Sequence, residues 1–253
     1  DQLSHLSMTA RADPYIISDA EDFIAFTDAM NAGSQHNGKY FKQTADIDLA
    51  GVEFNGLRAF NSENPNTFDG QGHTVSNWTN EKGLSDLGFI KGWVGTIKNL
   101  TIANATLKTA GRSGIIAGNV YANIENCHVV NSTIEDSYWA CGAIAGLYNS
   151  GSVSDCTVTG SSVKSNGGTG GIVGVLNETT GTRGFYNCSI TNSTVNNTGV
   201  YGEGYSAALV CGLINISNST VEFEGCTYEG NTKKGQYVGD LYYNAEGNNV
   251  VVK

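Results

Sequence analysis

The stretch Ile97-Lys-Asn-Leu-Thr-Ile102 decides the fold, because the chain repeats nearly the same phrase. An apolar residue is followed by a polar one, then by Asn, Asp or Gly, and then by a residue of the buried type. The six copies begin 22, 27, 29, 32 and 38 residues apart, a spacing typical of stacked solenoid coils. The other five are Val75-Ser-Asn-Trp-Thr79, Ile124-Glu-Asn-Cys-His-Val129, Val153-Ser-Asp-Cys-Thr-Val158, Phe185-Tyr-Asn-Cys-Ser-Ile190 and Phe223-Glu-Gly-Cys-Thr-Tyr228.

Two further phrases recur between these copies. One is Gly114-Ile-Ile-Ala-Gly118, and the aligned stretches are 88–92, 142–146, 170–174, 208–212 and, more loosely, 235–239. The other is Asn104-Ala-Thr-Leu107, with copies at 131–134, 160–163 and 192–195. Each repeat therefore holds three short apolar pieces separated by corners rich in Asn and Gly.

The spacing of apolar residues predicts strands rather than helices. Leu100 and Ile102 alternate with Thr101, which is the period of a half-buried strand. The alternation breaks at Asn99, a residue type that tolerates the left-handed conformation of a sharp corner. We therefore predict an all-β, right-handed parallel β-helix with three short strands per coil. Extending the register to Ile47 and Val250 gives roughly seven coils.

The domain organisation follows from the same pattern. We expect a poorly ordered extension at 1–17 and a single β-helix domain at 18–253, with a cap helix at 18–33 and repeats at 40–253. Ser18-Asp-Ala-Glu21 reads as a capping box, apolar residues follow at helical spacing, and Gly33 ends the helix. The other end, 242–253, shows no comparable cap.

These phrases resemble the GLUG-repeat parallel β-helix proteins of bacterial surfaces. The resemblance covers residues 18 to about 245 and rests on the cap, the entry strand and the repeats in their order: Ser18-Asp-Ala-Glu-Asp-Phe23, Tyr40-Phe-Lys-Gln-Thr-Ala-Asp-Ile-Asp-Leu49, Phe68-Asp-Gly-Gln-Gly-His-Thr-Val75 and the Gly-x-Ile-x-Gly phrases. It implies a secreted or cell-surface, adhesin-like protein of bacteria with no shared catalytic residues.

The amino-acid composition disfavours several classes of binding partner. The chain carries 24 acidic and 14 basic residues, a net charge of −10, and has no basic run, which disfavours nucleic acid. No stretch approaches 18 apolar residues, so we expect no membrane insertion, and we expect a monomer. The four histidines are not spaced as metal ligands, and the glycines of 167–174 belong to the repeat, so we expect neither metal nor cofactor.

Four of the six cysteines recur at one position of the repeat. Cys127, Cys156, Cys188 and Cys226 align with Leu100 and Trp78 of earlier coils. Parallel stacking makes their Cβ vectors run side by side, which does not suit disulfides. We predict an inward ladder of reduced thiols.

The segments after the third phrase vary from coil to coil, so function is sought there. These are 108–113, 135–141, 164–169 and 196–207, which should line one edge of the rod. They supply the candidate ligand-binding residues: Arg112, Glu135, Tyr138, Trp139, Asn166, Tyr201, Glu203 and Tyr205. Exposed aromatic rings beside carboxylates and amides suit sugar stacking with hydrogen bonds to hydroxyls.

Three functions remain open on these residues. The leading hypothesis is a non-catalytic module that binds a glycan or a host or cell-surface partner. The second is a polysaccharide lyase or glycosidase, for which Glu135 and Asp136 are the adjacent carboxylates. The third is a structural stalk within a larger surface protein, and the aromatic residues would then only cover the coil edge.

Overall fold

The protein is described by a computed structural model covering residues 14–31, 38–59, 63–200, 202 and 205–253. Most of the expected N-terminal extension lies outside the described residues. Within them, the helix is α1 (Ala20–Asn31). The strands are β1 Tyr15–Ile17, β2 Tyr40–Gln43, β3 Ile47–Asp48, β4 Leu57–Ala59, β5 Asn66–Ser76, β6 Thr79–Leu84, β7 Ile90–Ala103, β8 Thr106–Thr109, β9 Ser113–Gly114, β10 Ala117–Val130, β11 Thr133–Asp136, β12 Cys141–Gly142, β13 Ala145–Ser150, β14 Val153–Ser154, β15 Thr157–Thr159, β16 Ser162–Ser165, β17 Thr169–Gly170, β18 Val173–Asn177, β19 Thr182–Tyr186, β20 Ser189–Thr191, β21 Thr194–Asn197, β22 Ala207–Ala208, β23 Cys211–Asn215, β24 Thr220–Glu224, β25 Thr227–Glu229, β26 Thr232–Lys234, β27 Val238–Gly239 and β28 Asn249–Val252.

The strands build a parallel β-helix of about eight turns, which confirms the predicted fold class. Sheet A has 17 strands, sheet B has six (β6, β8, β11, β16, β21 and β26), and sheet C has five (β9, β12, β17, β22 and β27). Equivalent residues of successive coils pair, so side chains stack in columns inside the rod. One such column in sheet A consists of Phe41, Phe68, Ile97, Ile124, Val153, Phe185 and Phe223.

The earliest copy of the first phrase is in a different register from the predicted one. Phe68, and not Val75, pairs with Ile97, whereas Val75 pairs with Ile102. The cause is a bulge between Asp69 and His73, which places extra residues opposite a single corner of the next coil. Trp78 consequently does not belong to the cysteine column.

Three other alignments also shift. Ile90 pairs with Ala117, so the second phrase of that coil begins at residue 87, and not at 88. Gly239 pairs with Ala208, so the last copy of the second phrase begins at residue 239, and not at 235. Val252, rather than Val250, pairs with Phe223. Recurrent glycines and a run of valines contain no alternation that could fix the register from sequence alone.

The N-terminal end is closed by α1. The reciprocal cap lies one residue later than predicted: Asp19 Oδ1 accepts a bond of 2.9 Å from the Asp22 amide, and Asp22 Oδ2 accepts 2.9 Å from the Ser18 amide. Phe23 and Phe26 of α1 are fully buried. Among the described residues, strand pairing begins at Tyr15, which pairs with Phe41.

The corners and the cysteine ladder follow the prediction. The corner residues have left-handed φ angles, such as 56° at Asn99, 48° at Asn126 and 66° at Gly225. All six cysteines are free, and the Cys127 amide lies 3.5 Å from Cys156 Sγ in the next coil. Five of the thiols are buried, and Cys226 is half-buried.

Candidate ligand-binding groove

A groove of about 630 Å³ lies on the outer side of sheet B, beside the variable loops. Its walls come from five successive coils, so its long direction follows the axis of the rod. We call it the ladder groove, and its lining residues are Glu81, Lys82, Gly83, Lys108, Thr109, Glu135, Asp136, Ser137, Lys164, Asn166 and Thr198. Two of the predicted site residues, Glu135 and Asn166, therefore lie together.

One wall of the ladder groove is a row of alternating charges. Lys108, Glu135 and Lys164 pair in register across β8, β11 and β16, and parallel stacking turns all three outward. Lys108 Nζ lies 3.3 Å from Glu81 Oε2, and Lys164 Nζ lies 3.5 Å from Glu135 Oε1. These side chains are roughly half exposed, so such pairs contribute only about 0–1 kcal/mol to stability.

A second row of the groove lining is polar and neutral. Asn166 Nδ2 donates to the Ser137 carbonyl at 2.8 Å, and Thr198 Oγ1 donates to Asn166 Oδ1 at 2.5 Å. These bonds link three successive coils and fix the orientation of the Asn166 amide. The groove thus presents a charged row and a hydroxyl-and-amide row that run parallel to each other.

Asp136 lies beneath the groove and is a structural residue. It is only 2% exposed. Its carboxylate accepts bonds of 2.7 Å from Thr109 Oγ1, the Gly111 amide and the Tyr138 amide. Burial raises the pKa of the Asp136 carboxyl, although the hydrogen bonds oppose that shift. Glu135 and Asp136 therefore point to opposite sides of β11 and do not form a pair of carboxylates around one bond.

Arg112 is placed away from the ladder groove. Its Nε donates to Asp86 Oδ1 at 2.5 Å and its Nη2 to Asp86 Oδ2 at 3.2 Å, a bidentate pair. The Asp86 carboxylate raises the pKa of Arg112. Arg112 thus fastens one coil edge to the preceding coil.

The aromatic candidates differ in exposure. Tyr138 is 63% exposed, and a Cβ atom at Gly111 would lie 3.2 Å from Tyr138 Cδ1, so the ring rests against that glycine. Trp139 is half-buried and packs against a small apolar cluster of Ala140, Leu147 and Val175. Tyr138 is therefore accessible to a ligand beside Ser137, whereas Trp139 covers the coil.

The last loop contributes one described candidate. Tyr205 is 37% exposed, and its ring lies close over Gly167. Its carbonyl accepts a hydrogen bond from Asn197 Nδ2. Tyr201 and Glu203 lie outside the described residues.

Two ladders were missed by the sequence reasoning. The charged row could have been found from the residue two positions after each outward Thr or Ser of the third phrase. A second ladder joins amide side chains through bonds of 2.6 to 2.9 Å, from Asn119 through Asn149 and Asn177 to Asn215. Its signal is Gly-x-x-Asn at 146–149, 174–177 and 212–215.

The part of the chain that the structure describes contains neither a metal-binding cluster nor a membrane-spanning helix. No group of three or more His, Cys, Asp or Glu side chains there is arranged to hold a metal ion. In the same part of the chain, no helix has the length and apolar character needed to cross a membrane.

Comparison with known proteins shows the fold. No protein-family model matches the chain, and no curated protein matches it. A solved structure from Bacteroides ovatus, described as a "putative immunoglobulin A1 protease", is similar with a TM-score of 0.61 and 19% sequence identity. The similarity covers 95% of this chain and 84% of that one. At this identity the similarity concerns the β-helix alone.

Proposed function

We propose that this chain is a non-catalytic β-helix module of a secreted or cell-surface protein, and that the ladder groove binds a glycan. The observation that carries the proposal is the open groove lined by two polar rows, with the exposed Tyr138 next in sequence to the lining residue Ser137. The resemblance of the repeats to GLUG-type surface proteins supports the location.

The chemistry of the groove suits sugars. Its lysines, carboxylates, hydroxyls and the Asn166 amide supply both donors and acceptors, as a ligand rich in hydroxyl groups requires. Tyr138, which directly follows the lining residue Ser137 in sequence, offers an exposed aromatic ring. Because the rows cross several coils, the groove has room for an extended chain.

A lyase or glycosidase has less support. Catalysis of glycoside hydrolysis uses two carboxyl groups that flank one bond. Asp136 is buried and occupied by three donors, while Glu81 and Glu135 each lie beside a lysine. The described residues of the groove therefore favour binding over bond cleavage.

The test is a glycan-array screen of the purified chain, followed by titration of any hit and a reducing-end assay. Tyr138→Ala should weaken binding of a hit by roughly thirtyfold, about 2 kcal/mol, as expected for an anchor aromatic. Tyr228→Ala is the matched control, since Tyr228 is 41% exposed on another sheet. An array without hits, or equal losses in the two variants, would refute the proposal, and release of reducing ends would favour the enzyme.

A further inference from the structure

The charged row of the ladder groove has a period of two coils. Lys108, Glu135 and Lys164 follow one another in register on consecutive strands. Neighbouring strands lie about 4.8 Å apart, so the two lysines repeat at about 9.6 Å with a carboxylate halfway between them. A ligand that lies along this row meets positive and negative groups in turn.

The ligand direction follows from the geometry of the two walls. Both rows run along the axis of the rod, since each takes one residue from each coil. One sugar unit of an extended polysaccharide is about as long as one coil spacing. A linear polysaccharide laid lengthwise would therefore place one sugar beside each coil, and every second sugar beside a lysine.

The lysines retain capacity for a ligand. An ammonium group has three donors, and the distances to Glu81 and Glu135, 3.3 and 3.5 Å, exceed the roughly 2.7–2.9 Å of a strong charged hydrogen bond. A ligand carboxylate can thus join each lysine without first displacing its partner. Glu135 would accept a hydroxyl or amide hydrogen from the sugar in between.

The same alternation excludes other polymers. A polysaccharide with a carboxylate on every sugar would bring one of them against Glu135, and like charges in contact disfavour a complex. A neutral polysaccharide would leave both lysines without a new partner. Resting on the proposed function, we infer that the ladder groove selects a linear acidic polysaccharide with one carboxylate on every second sugar, bound lengthwise along the rod.

The experiment compares three sets of oligosaccharides of matched length by calorimetry at low and high salt. They are hyaluronan fragments, with glucuronate on alternate sugars; polygalacturonate fragments, with a carboxylate on each sugar; and neutral cellulose fragments. Hyaluronan fragments should bind at least tenfold more tightly than the other two sets, lose affinity with salt, and gain affinity with length until the chain spans about five coils.

Substitutions test whether the charged row causes the selectivity for hyaluronan fragments. Lys108→Gln and Lys164→Gln should each reduce the affinity for hyaluronan fragments about tenfold, whereas Lys98→Gln, an outward lysine of sheet A, should leave it unchanged. Glu135→Gln should improve binding of polygalacturonate by removing the repulsion.

The outcomes separate this inference from the proposed function. If neutral and alternating fragments bind equally, or the lysine variants lose nothing, the selectivity is refuted while glycan binding stands. The same holds if polygalacturonate binds as tightly as hyaluronan. If no member of the three sets binds and the glycan array is also empty, the proposed function itself fails.

Discussion

Lys233 and Asp240 form an ion pair in the last coil, where Lys233 takes a position that apolar residues fill in the coils before it. In sheet B, Lys233 pairs with Val195, which in turn pairs with Val163. An inward-pointing charge at a sheet edge discourages the pairing of a further strand. The pair therefore disfavours strand addition at β26, which is an edge strand of sheet B among the described residues.

Removing this charged pair should promote association of the rods. We expect the double substitution Lys233→Val and Asp240→Leu to give dimers or larger species in light scattering after size-exclusion chromatography, because the apolar column then continues into the edge strand β26. Lys234→Val is the matched control. Lys234 is the next residue of β26, and its side chain is exposed on the outward side of the strand. Identical elution of both variants and the parent protein would contradict this role.

The register of the thiol ladder is tested by placing a charge in it. Cys156 is fully buried, so Cys156→Asp should lower the stability by several kcal/mol and the melting temperature sharply. Thr157→Asp, one residue later and outward, is the control and should change the melting temperature little. Equal shifts for the two substitutions would mean that the side chains are not oriented as described.

Alkaline pH should destabilise the fold through the buried thiols. Burial raises the pKa of Cys188 and of Cys211 to about 12 from the ordinary value of 9.0. The folded state thus favours the neutral thiol, and this contribution is complete below about pH 9 and lost as the pH rises toward 12. Urea denaturation across that range should show the decline, and the Cys188→Ala, Cys211→Ala double variant should show a shallower one. A stability that is constant up to pH 11 would count against buried thiols.

Alanine substitutions at the neighbouring residues Asp136 and Glu135 should have different effects on the stability of the fold. Asp136→Ala leaves three hydrogen-bond donors without their acceptor. Each of these donors that stays buried should lower the stability by about 1–3 kcal/mol. Glu135→Ala removes an exposed side chain and should change the stability by less than about 0.5 kcal/mol. Urea denaturation measures both. Comparable losses would show that Glu135, too, is a structural residue.

Trp139 should act on stability rather than on binding. Its ring packs on the cluster of Ala140, Leu147 and Val175, so Trp139→Ala should cost about 2 kcal/mol by exposing that cluster. Tyr138→Ala, at the adjacent exposed position, should leave the melting temperature nearly unchanged. The reverse pattern would place Trp139 in the ligand site and Tyr138 in the coil cover.

The candidate site could be predicted only in part. The variable segments adjoin the ladder groove, and two of the predicted residues, Glu135 and Asn166, line it. Arg112 lies outside the groove, because it pairs with Asp86 of another coil. The sequence of neither segment reveals that the two residues are close in space. Asp136 was mistaken for a possible surface carboxylate because a strand turns adjacent residues to opposite faces only once its register is known.

The sequence by itself determined the β-helix, its corners and its reduced thiol ladder. Each of these depends on a conformation or a burial preference that recurs in every coil, so local patterns suffice. Only the tertiary structure decided the bulge between Asp69 and His73, the alternating charged row and which loop residues meet. These depend on how far each coil is offset from the next, and insertions of different length change that offset without leaving a local signature.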